Sequence, residues 1–277
     1  MKALVRFYEN KTQLILDKYG PGPRVHYHTG IMGAPPSPSA SASELRSSLL
    51  ASQEQILLYA STAWNIRMTP FREVLDVGCG LGGGAIFWAQ EFGAHVTAVT
   101  IAPSHISLVS EFAAQAGVGS LVQPLLSDAL TLPGESCFDA AIAIDSSSSF
   151  ERRPWFHRLS KLLRPDGQVF IFDCYLGKPE YETPFNHHWC AQIGYAEEYI
   201  SAAQEAGFRL EMIEDVSSQA IHFWDTSIAL MLAEAHKCTM RSSKRTKLSN
   251  SLSVHALVRR GLCERGLSHT LMSFRKT

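Results

Sequence analysis

The chain has 277 residues, of which 45% are hydrophobic and 18% are charged, so it is long enough to bury the core of one α/β domain with an added segment. Its formal net charge of −1 argues against the phosphate backbone of a nucleic acid as a partner. No apolar run is long enough to cross a membrane, and charged residues interrupt the N-terminus too early for a signal peptide. We therefore expect a cytoplasmic protein with neither a nucleic-acid nor a membrane partner.

The cysteines and the basic residues show no special arrangement. Six cysteines are scattered without a CxxC pair or a metal-like spacing, so we expect free thiols in a reducing compartment and no metal site. Lysine and arginine residues cluster between positions 237 and 247, and we interpret that stretch as a solvated loop.

Residues 1–69 predict an N-terminal helical cap ahead of the main domain. Apolar residues recur at spacings of three and four over 2–18, which indicates an amphipathic helix. Residues 19–30 then form a turn segment rich in side chains that could line a site. Ser41 and Glu44 have capping-box spacing for a second helix. A first helix set apart by a Pro/Gly turn is also a candidate for exchange between the subunits of a homo-oligomer.

Residues 73–84, EVLDVGCGLGGG, predict a buried strand, a glycine turn and the start of a helix in direct succession. Glycines allow the backbone to approach a ligand closely, and the first amides of the helix face that ligand. The spacing of Gly78, Gly80 and Gly83 by itself also fits the GxGxxG pattern of dinucleotide-binding proteins. The glycines therefore predict a nucleotide-like cofactor without selecting one.

Asp76 and Thr100 select the cofactor. The carboxylate of Asp76 would repel a pyrophosphate, whereas it can meet the cationic end of S-adenosylmethionine. The next predicted strand, 95–100, ends in Thr100, where an NAD-binding protein has the acidic residue that holds the ribose. We therefore expect S-adenosylmethionine, with S-adenosylhomocysteine as the product.

From residue 73 onward, apolar strands alternate with amphipathic helices, which predicts a mostly parallel sheet with helices on both faces. The predicted strands are 73–77, 95–100, 121–126, 138–144, 168–174, 208–216 and 267–276. The predicted helices are 83–92, 103–117, 154–163, 195–206, 224–237 and 254–260. The fold class is α/β: a Rossmann-like, seven-stranded, mostly parallel sheet over residues 70–277, completed by a last strand beside the sixth.

Three stretches interrupt this alternation. Residues 164–167, RPDG, predict the turn into the fifth strand. Residues 175–195 predict an irregular insertion at the carboxyl end of the sheet, which we expect to cover a substrate. Residues 241–253 are polar and predict a mobile segment.

Residues 70–180 resemble class I methyltransferases, in the branch that contains cyclopropane fatty acid synthases and the sterol and prenyl C-methyltransferases. The residues that carry the resemblance are Val99-Thr-Ile-Ala-Pro103, Asp128-Ala129, Leu162-Leu-Arg-Pro-Asp-Gly167 and His222-Phe-Trp-Asp225. The segment 19–30 also resembles C-methyltransferases of bacterial natural-product pathways. His105 replaces the glutamine that is usual in this branch.

The pattern and the resemblance together imply a set of cofactor-binding residues. These are Asp76, Gly78, Gly80, Gly82, Thr100, Ile101, His105, Asp128, Ala129, Ile144 and Tyr27. By the resemblance, Thr100 and Ile101 meet the ribose and adenine, and Asp128 meets the adenine amino group.

Methyl transfer from a sulfonium is an in-line displacement, so the protein must mainly align donor and acceptor and exclude water. Asp145 follows the fourth strand, where its carboxylate could stabilise a developing cation or take a proton. Its serine-rich surroundings, 145–149, also fit a plain polar loop. The expected catalytic residues are Asp145, His28, His188 and Tyr8, although each histidine also fits a surface role.

Three functions remain open from the sequence. The first is a C-methyltransferase that acts on a hydrophobic small molecule with a π nucleophile, such as a prenyl alkene or an indole, in specialised metabolism. The second is an O- or N-methyltransferase of a small phenol, acid or amine, with a histidine as the base. The third is a noncatalytic cofactor-binding protein.

Overall fold

The computed structural model describes residues 2–235 and 242–277. Several sequence predictions fall partly outside these ranges. They concern positions 237–241 of the basic stretch, which include Cys238 and Arg241, and the last two residues of the helix predicted to end at 237. Within the described ranges, no helix combines the length and apolar character needed to span a membrane.

The centre of the molecule is a seven-stranded sheet with the order β3-β2-β1-β4-β5-β7-β6. β7 pairs antiparallel with β5 and β6, and the other pairings are parallel. The strands are β1 Glu73–Val77, β2 His95–Thr100, β3 Val122–Leu126, β4 Phe138–Ile144, β5 Leu163–Leu176, β6 Phe208–Asp215 and β7 Leu267–Lys276. The predicted α/β class and mostly parallel sheet are confirmed.

Helices cover both faces of the sheet. They are α1 Lys2–Tyr19, α2 Ala42–Ala63, α3 Gly83–Phe92, α4 Pro103–Gln115, α5 Arg152–Leu162, α6 Glu182–Trp189, α7 Ala196–Glu205, α8 Ser217–Ala235 and α9 Ser242–Cys263. The apolar residues of β1 pack on both faces of the sheet. Val74 belongs to one hydrophobic cluster, and Leu75 and Val77 belong to a second one. A strand buried on both faces needs such a continuous apolar run.

The capping box predicted at the start of α2 is confirmed. The hydroxyl of Ser41 accepts from the Glu44 amide at 3.3 Å, and the Glu44 carboxylate accepts from the Ser41 amide at 2.7 Å. At the other end, Trp64 stacks on Phe170 of β5 with 5.1 Å between ring centroids. The second helix of the predicted cap therefore packs against the sheet itself.

β5 begins earlier than predicted, because the segment 164–167 is part of it. In the pairing of β4 with β5, Phe138 lies opposite Leu163 and Ala140 opposite Gln168, so the intervening residues of β5 bulge from the ladder. Within this bulge, Asp166 has a left-handed backbone conformation with a φ of 61°, which is typical of turns.

Two helices are longer than predicted, and the insertion is more regular. α8 starts at Ser217, whose amide donates to the Asp215 carboxylate at 2.8 Å, so a local cap sets the start. The segment 241–253 is helical from Ser242 onward, since α9 runs unbroken to Cys263 and buries Val258 and Leu262, and the mobility expected for the segment stays a prediction. The insertion 175–195 contains the helix α6.

Candidate active site

A cavity opens at the carboxyl ends of β1, β2 and β4. In a parallel sheet this edge is where ligands bind, because the loops that follow the strands meet there. The segment 19–30 and helices α1, α6 and α8 close the cavity from the other side. Phe185, Trp189 and Ala191 of the insertion 175–195 line the cavity, and the role of the insertion as a substrate cover stays a prediction.

The glycines after β1 divide into two kinds. A Cβ on Gly80, which has a φ of 55°, would meet no protein atom within 4 Å, so its backbone faces open space in the cavity. A Cβ on Gly78 would lie 2.7 Å from the Cβ of Ser146. Gly82 does not line the cavity, and a Cβ there would lie 2.9 Å from Val109. Gly82 therefore serves the packing of α3 on α4, and Gly80 leaves room for a ligand.

Asp76 is the buried carboxyl group at the end of β1, only 4% exposed. Burial raises its pKa to about 7, and a hydrogen bond from the Ala85 amide opposes that rise. A buried carboxylate is costly without a cationic partner, and S-adenosylmethionine carries an ammonium and a sulfonium group. With the open space beside Gly80, this arrangement fits that cofactor, which supplies an electrophilic methyl group when bound.

Thr100 and His105 form one hydrogen-bonded unit beside the glycine turn. Thr100 Oγ1 lies 3.5 Å from His105 Nδ1, and His105 Nε2 lies 3.0 Å from Thr12 Oγ1 of α1. Thr100, Ile101 and His105 all line the cavity, and their contact with a cofactor stays a prediction. His105 therefore ties α1 to the end of β2.

The segment after β3 contributes less than predicted. Ser127 and Ala129 line the cavity, and Ile144 at the end of β4 does so as well. Asp128 does not line the cavity. Its carboxylate instead accepts a hydrogen bond from the Leu130 amide at 2.9 Å. A contact of Asp128 with adenine stays a prediction.

Two carboxyl groups lie at this edge of the sheet: Asp145, whose side chain is 17% exposed, follows β4, and Asp173, which is 2% exposed, lies within β5 three residues before its end. Burial, and then the charge of Asp173, raises the pKa of Asp145 to about 8. Burial also raises the pKa of Asp173. Asp145 Oδ2 accepts from the Thr29 amide, and its Oδ1 has no hydrogen-bond partner within the described residues. Asp173 accepts three, from the Ser147 hydroxyl and the amides of Ser148 and Cys174. Asp173 therefore has more hydrogen-bond donors to stabilise its ionised form than Asp145 has.

His269 of β7 completes this group. Its Nδ1 lies 4.0 Å from Asp145 Oδ1, and its ring stacks between Phe172 and Trp224 at centroid distances of 5.5 and 6.4 Å. Burial lowers the pKa of His269 to about 3, so the ring is neutral. Neither ring nitrogen has a hydrogen-bond partner among the described residues, and both are available to a bound molecule.

The sequence predictions did not include Asp173 or His269. A signal was present for Asp173, which stands among apolar residues in the second half of β5, whereas β7 also contains Ser268, Thr270 and Ser273, so His269 does not stand out there. A buried charge within such a run needs a reason, and here that reason is the cavity edge.

The predicted histidines differ in their surroundings. His28 lines the cavity, and burial lowers its pKa to about 3. Its Nδ1 lies 2.9 Å from the carbonyl oxygen of Thr29. Since a carbonyl only accepts, Nδ1 carries the proton and the unpartnered Nε2 is an acceptor. His188 does not line the cavity, and its ring packs on Trp189 at 4.5 Å.

Both predicted tyrosines line the cavity. Burial raises the pKa of Tyr8 to about 12, so its hydroxyl stays protonated. Tyr8 lies beside His105, with ring centroids 6.5 Å apart. The Tyr27 hydroxyl lies 3.4 Å from Lys11 Nζ, and the Tyr27 ring lies 6.1 Å from the ring of Tyr19. Tyr27 therefore contacts both a cation and another aromatic residue of the cavity lining.

Residues 74–167 match the sequence profile of a family described as a methyltransferase domain. The chain carries a methyltransferase domain. The matched region contains the glycine turn, Thr100 and Asp145. Within residues 2–235 and 242–277, no group of histidine, cysteine and acidic side chains is arranged to hold a metal ion.

The proteins similar to this chain are named for methyl transfer to different kinds of atom. Phosphoethanolamine N-methyltransferase 1 of Arabidopsis thaliana is 30% identical over 161 residues, which are 56% of this chain and 32% of that protein. O-methyltransferase resE of Aspergillus sclerotiorum is 31% identical over 157 residues, which are 52% of this chain and 58% of that protein. The aligned part thus spans about a third of the first relative and little more than half of the second.

The fold is shared along the whole chain with a third methyltransferase. Geranyl diphosphate C-methyltransferase from Streptomyces coelicolor, solved with Mg²⁺, geranyl diphosphate and S-adenosylhomocysteine, superposes with a TM-score of 0.81 at 15% identity. The superposition covers 100% of this chain and 97% of that one. The predicted methyltransferase class, enzyme type and cofactor are confirmed.

Proposed function

We propose that this methyltransferase transfers a methyl group to a carbon atom of a hydrophobic small molecule with a π nucleophile, such as a prenyl alkene or an indole, in specialised metabolism. The observation that carries the proposal is a cavity with many aromatic lining residues that also contains the carboxyl groups of Asp145 and Asp173. The aromatic lining residues are Tyr8, Tyr19, Tyr27, Phe150, Phe185, Trp189, Phe223 and Trp224.

Such a cavity suits a reaction that places positive charge on the acceptor. When a π bond attacks a methyl group, the acceptor carbon skeleton becomes cationic. Aromatic faces attract a cation, and so does the carboxyl pair Asp145–Asp173. The residues of this chain would bind the apolar acceptor, hold it in line with the methyl group and exclude water.

The low basicity of the cavity histidines also favours methyl transfer to carbon over methyl transfer to a phenol oxygen. His28 and His269 have pKa values lowered to about 3 by burial, so they are weak bases. A carbocation loses its proton to a weak base, whereas a neutral phenol needs a stronger one. The unpartnered Nε2 of His28 is therefore basic enough for the proposed reaction.

One observation favours a second candidate, O-methyl transfer to a phenol. The pKa of Asp145 is raised to about 8 by burial and Asp173, and a carboxylate with that pKa would be a competent base for a hydroxyl. In this case Asp145, and not a histidine, is the base.

Product analysis separates the candidates. The purified protein is incubated with ¹³C-methyl-labelled S-adenosylmethionine and, in turn, prenyl alcohols, prenyl diphosphates, indoles and phenols. We expect a labelled methyl group with a carbon-bound chemical shift. A labelled methyl group on oxygen or nitrogen alone would contradict the proposal. Binding of S-adenosylhomocysteine in calorimetry without turnover of any of these acceptors would favour a noncatalytic role.

A further inference from the structure

Two lysines interrupt the face of α1 that turns toward the cavity. Leu4, Tyr8 and Ile15 line the cavity from this helix. Lys11 lies three residues after Tyr8 and four before Ile15, and Lys18 lies three after Ile15, so both share that face. Both lysines are half-buried. A face that is otherwise apolar thus carries two cations at the rim of the cavity.

Each lysine has a polar contact that connects it to the cavity lining, and we call Lys11, Lys18 and His255 together the cluster. Lys11 Nζ lies 3.4 Å from the hydroxyl of Tyr27, which lines the cavity. Lys18 Nζ donates to Ser227 Oγ at 2.9 Å, and that oxygen lies 3.1 Å from Nδ1 of His255, another lining residue. The cluster therefore joins α1 to α8 and α9 along the rim.

No carboxylate neutralises the cluster within the part of the chain that the structure describes. Neither lysine forms an ion pair there. The acidic groups of the same region are engaged elsewhere: Asp17 accepts from Gln13, and Glu234 pairs with Arg46. Positions 236–247 contain no aspartate or glutamate in the sequence.

Burial and like charge act together on this cluster. Burial, and then the charge of Lys18, lowers the pKa of Lys11 to about 8. Burial, followed by the charges of Lys18, His188 and Lys11, lowers the pKa of His255 well below its usual value. Half-buried cations without a counter-ion are costly, and an anion that reached them would form charge-assisted hydrogen bonds in a poorly hydrated place.

We propose that Lys11, Lys18 and His255 bind an acidic group of the methyl acceptor, a carboxylate or a phosphate, while its apolar body extends between the aromatic residues of the cavity. This inference rests on the proposed function and names the substrate class: an amphipathic acid. The cluster holds the anion directly with its own N–H groups. Tyr27, with its hydroxyl beside Lys11 and its ring on the aromatic wall, stands at the junction of the two regions.

The test compares three probes that share one apolar chain: decanoate, decyl phosphate and decanol. Each is titrated below its aggregation limit into the protein saturated with S-adenosylhomocysteine, and binding is followed by calorimetry and by the fluorescence of Trp189 and Trp224, which line the cavity. We expect at least one acid to bind about tenfold more tightly than decanol. Which acid binds more tightly identifies the group.

The variants assign that preference to the lysines. In the double variant Lys11→Met, Lys18→Met, whose side chains keep the apolar stems, we expect the preference to fall below about threefold. Lys11→Arg with Lys18→Arg should retain most of it. The matched control Lys2→Met, at an exposed position of the same helix, should leave it unchanged. Circular dichroism checks that each variant is folded.

Failure of the subsite is distinguishable from failure of the proposed function. Equal binding of decanol and the acids, a preference that survives in the double methionine variant, or no binding of any probe would overturn the subsite. An acid preference in a protein that methylates only oxygen would retain the subsite and contradict the proposed reaction at carbon.

Discussion

The carboxyl group of Asp145 accepts a hydrogen bond from the backbone amide of Thr29, with 2.6 Å between nitrogen and Oδ2. This bond joins the end of β4 to the segment 19–30. Gln53 of α2 holds the same segment by donating to the carbonyl of His28 at 2.7 Å. The candidate catalytic carboxyl group therefore also positions the wall of its own cavity.

Two substitutions of Asp145 separate charge from positioning. Asp145→Asn keeps an oxygen that can accept from Thr29, whereas Asp145→Ala leaves that amide without its partner. We expect both to lower kcat by about 10²- to 10³-fold, because both remove the carboxylate. Hydrogen exchange at the Thr29 amide should accelerate only in the alanine variant. Wild-type kcat in Asp145→Asn would remove Asp145 from the chemistry.

Asp76→Asn should weaken the binding of S-adenosylhomocysteine by about 10²-fold or more, because it removes the carboxylate expected to pair with the cofactor ammonium group.

The Asp76→Asn variant should also be more stable than the wild type at high pH. The folded-state pKa of about 7 exceeds the unfolded value of 3.8, so ionisation of Asp76 destabilises the wild type as the pH rises from about 4 to above 7. We expect a stability difference on the order of 2–4 kcal/mol at pH 8 and almost none near pH 4. Thermal unfolding at the two pH values checks this, and calorimetry checks the affinity.

The affinity of the wild type for S-adenosylhomocysteine should rise with pH. Below about pH 7 the carboxyl group of Asp76 is protonated before binding, so its proton must be released when the ammonium group arrives. The dissociation constant should fall by up to about tenfold per pH unit between pH 5 and 7 and then level off. Calorimetry in buffers of different ionisation enthalpy measures the released proton. A flat profile, or the same slope in Asp76→Asn, would show that another group is responsible.

Two glycine substitutions test whether the cofactor occupies the space beside the glycine turn. Gly80 and Gly93 have similar left-handed φ values, 55° and 66°, and a Cβ at either meets no protein atom within 4 Å. Alanine at each should therefore cost a similar amount of stability, about 1 kcal/mol. Gly80 lines the cavity, whereas Gly93 caps the end of α3. Only Gly80→Ala should weaken S-adenosylhomocysteine binding, and equal affinities in the two variants would move the cofactor away from Gly80.

Elements with strong local patterns were predicted closely. The predicted bounds are confirmed for β1, α3, β2 and β4. The signals for a buried parallel strand and for the ends of a helix come from residues that are neighbours in the sequence, so they can be recognised without the fold. α9 was misjudged, since its helical state depends on packing against α8 and its polar sequence contains no strong local signal.

The candidate site was predicted in part for the same reason. Asp76, Thr100 and Asp145 each end a recognisable strand, so sequence placed them at one edge of the sheet. Asp173 and His269 lie within strands, and only the antiparallel register, which pairs Asp173 with Thr270, brings them to that edge.

By itself, the sequence predicted a strand, a glycine turn and a helix start within residues 73–84, with Asp76 near the end of the strand. Those features are local, so their chemistry follows from neighbouring residues. The tertiary structure decided the opposite wall of the cavity, because that wall comes from segments as distant as α1, β5 and β7. The contacts of Lys18 with Ser227 and of Thr29 with Asp145 join positions more than 100 residues apart, and only the folded chain brings them together.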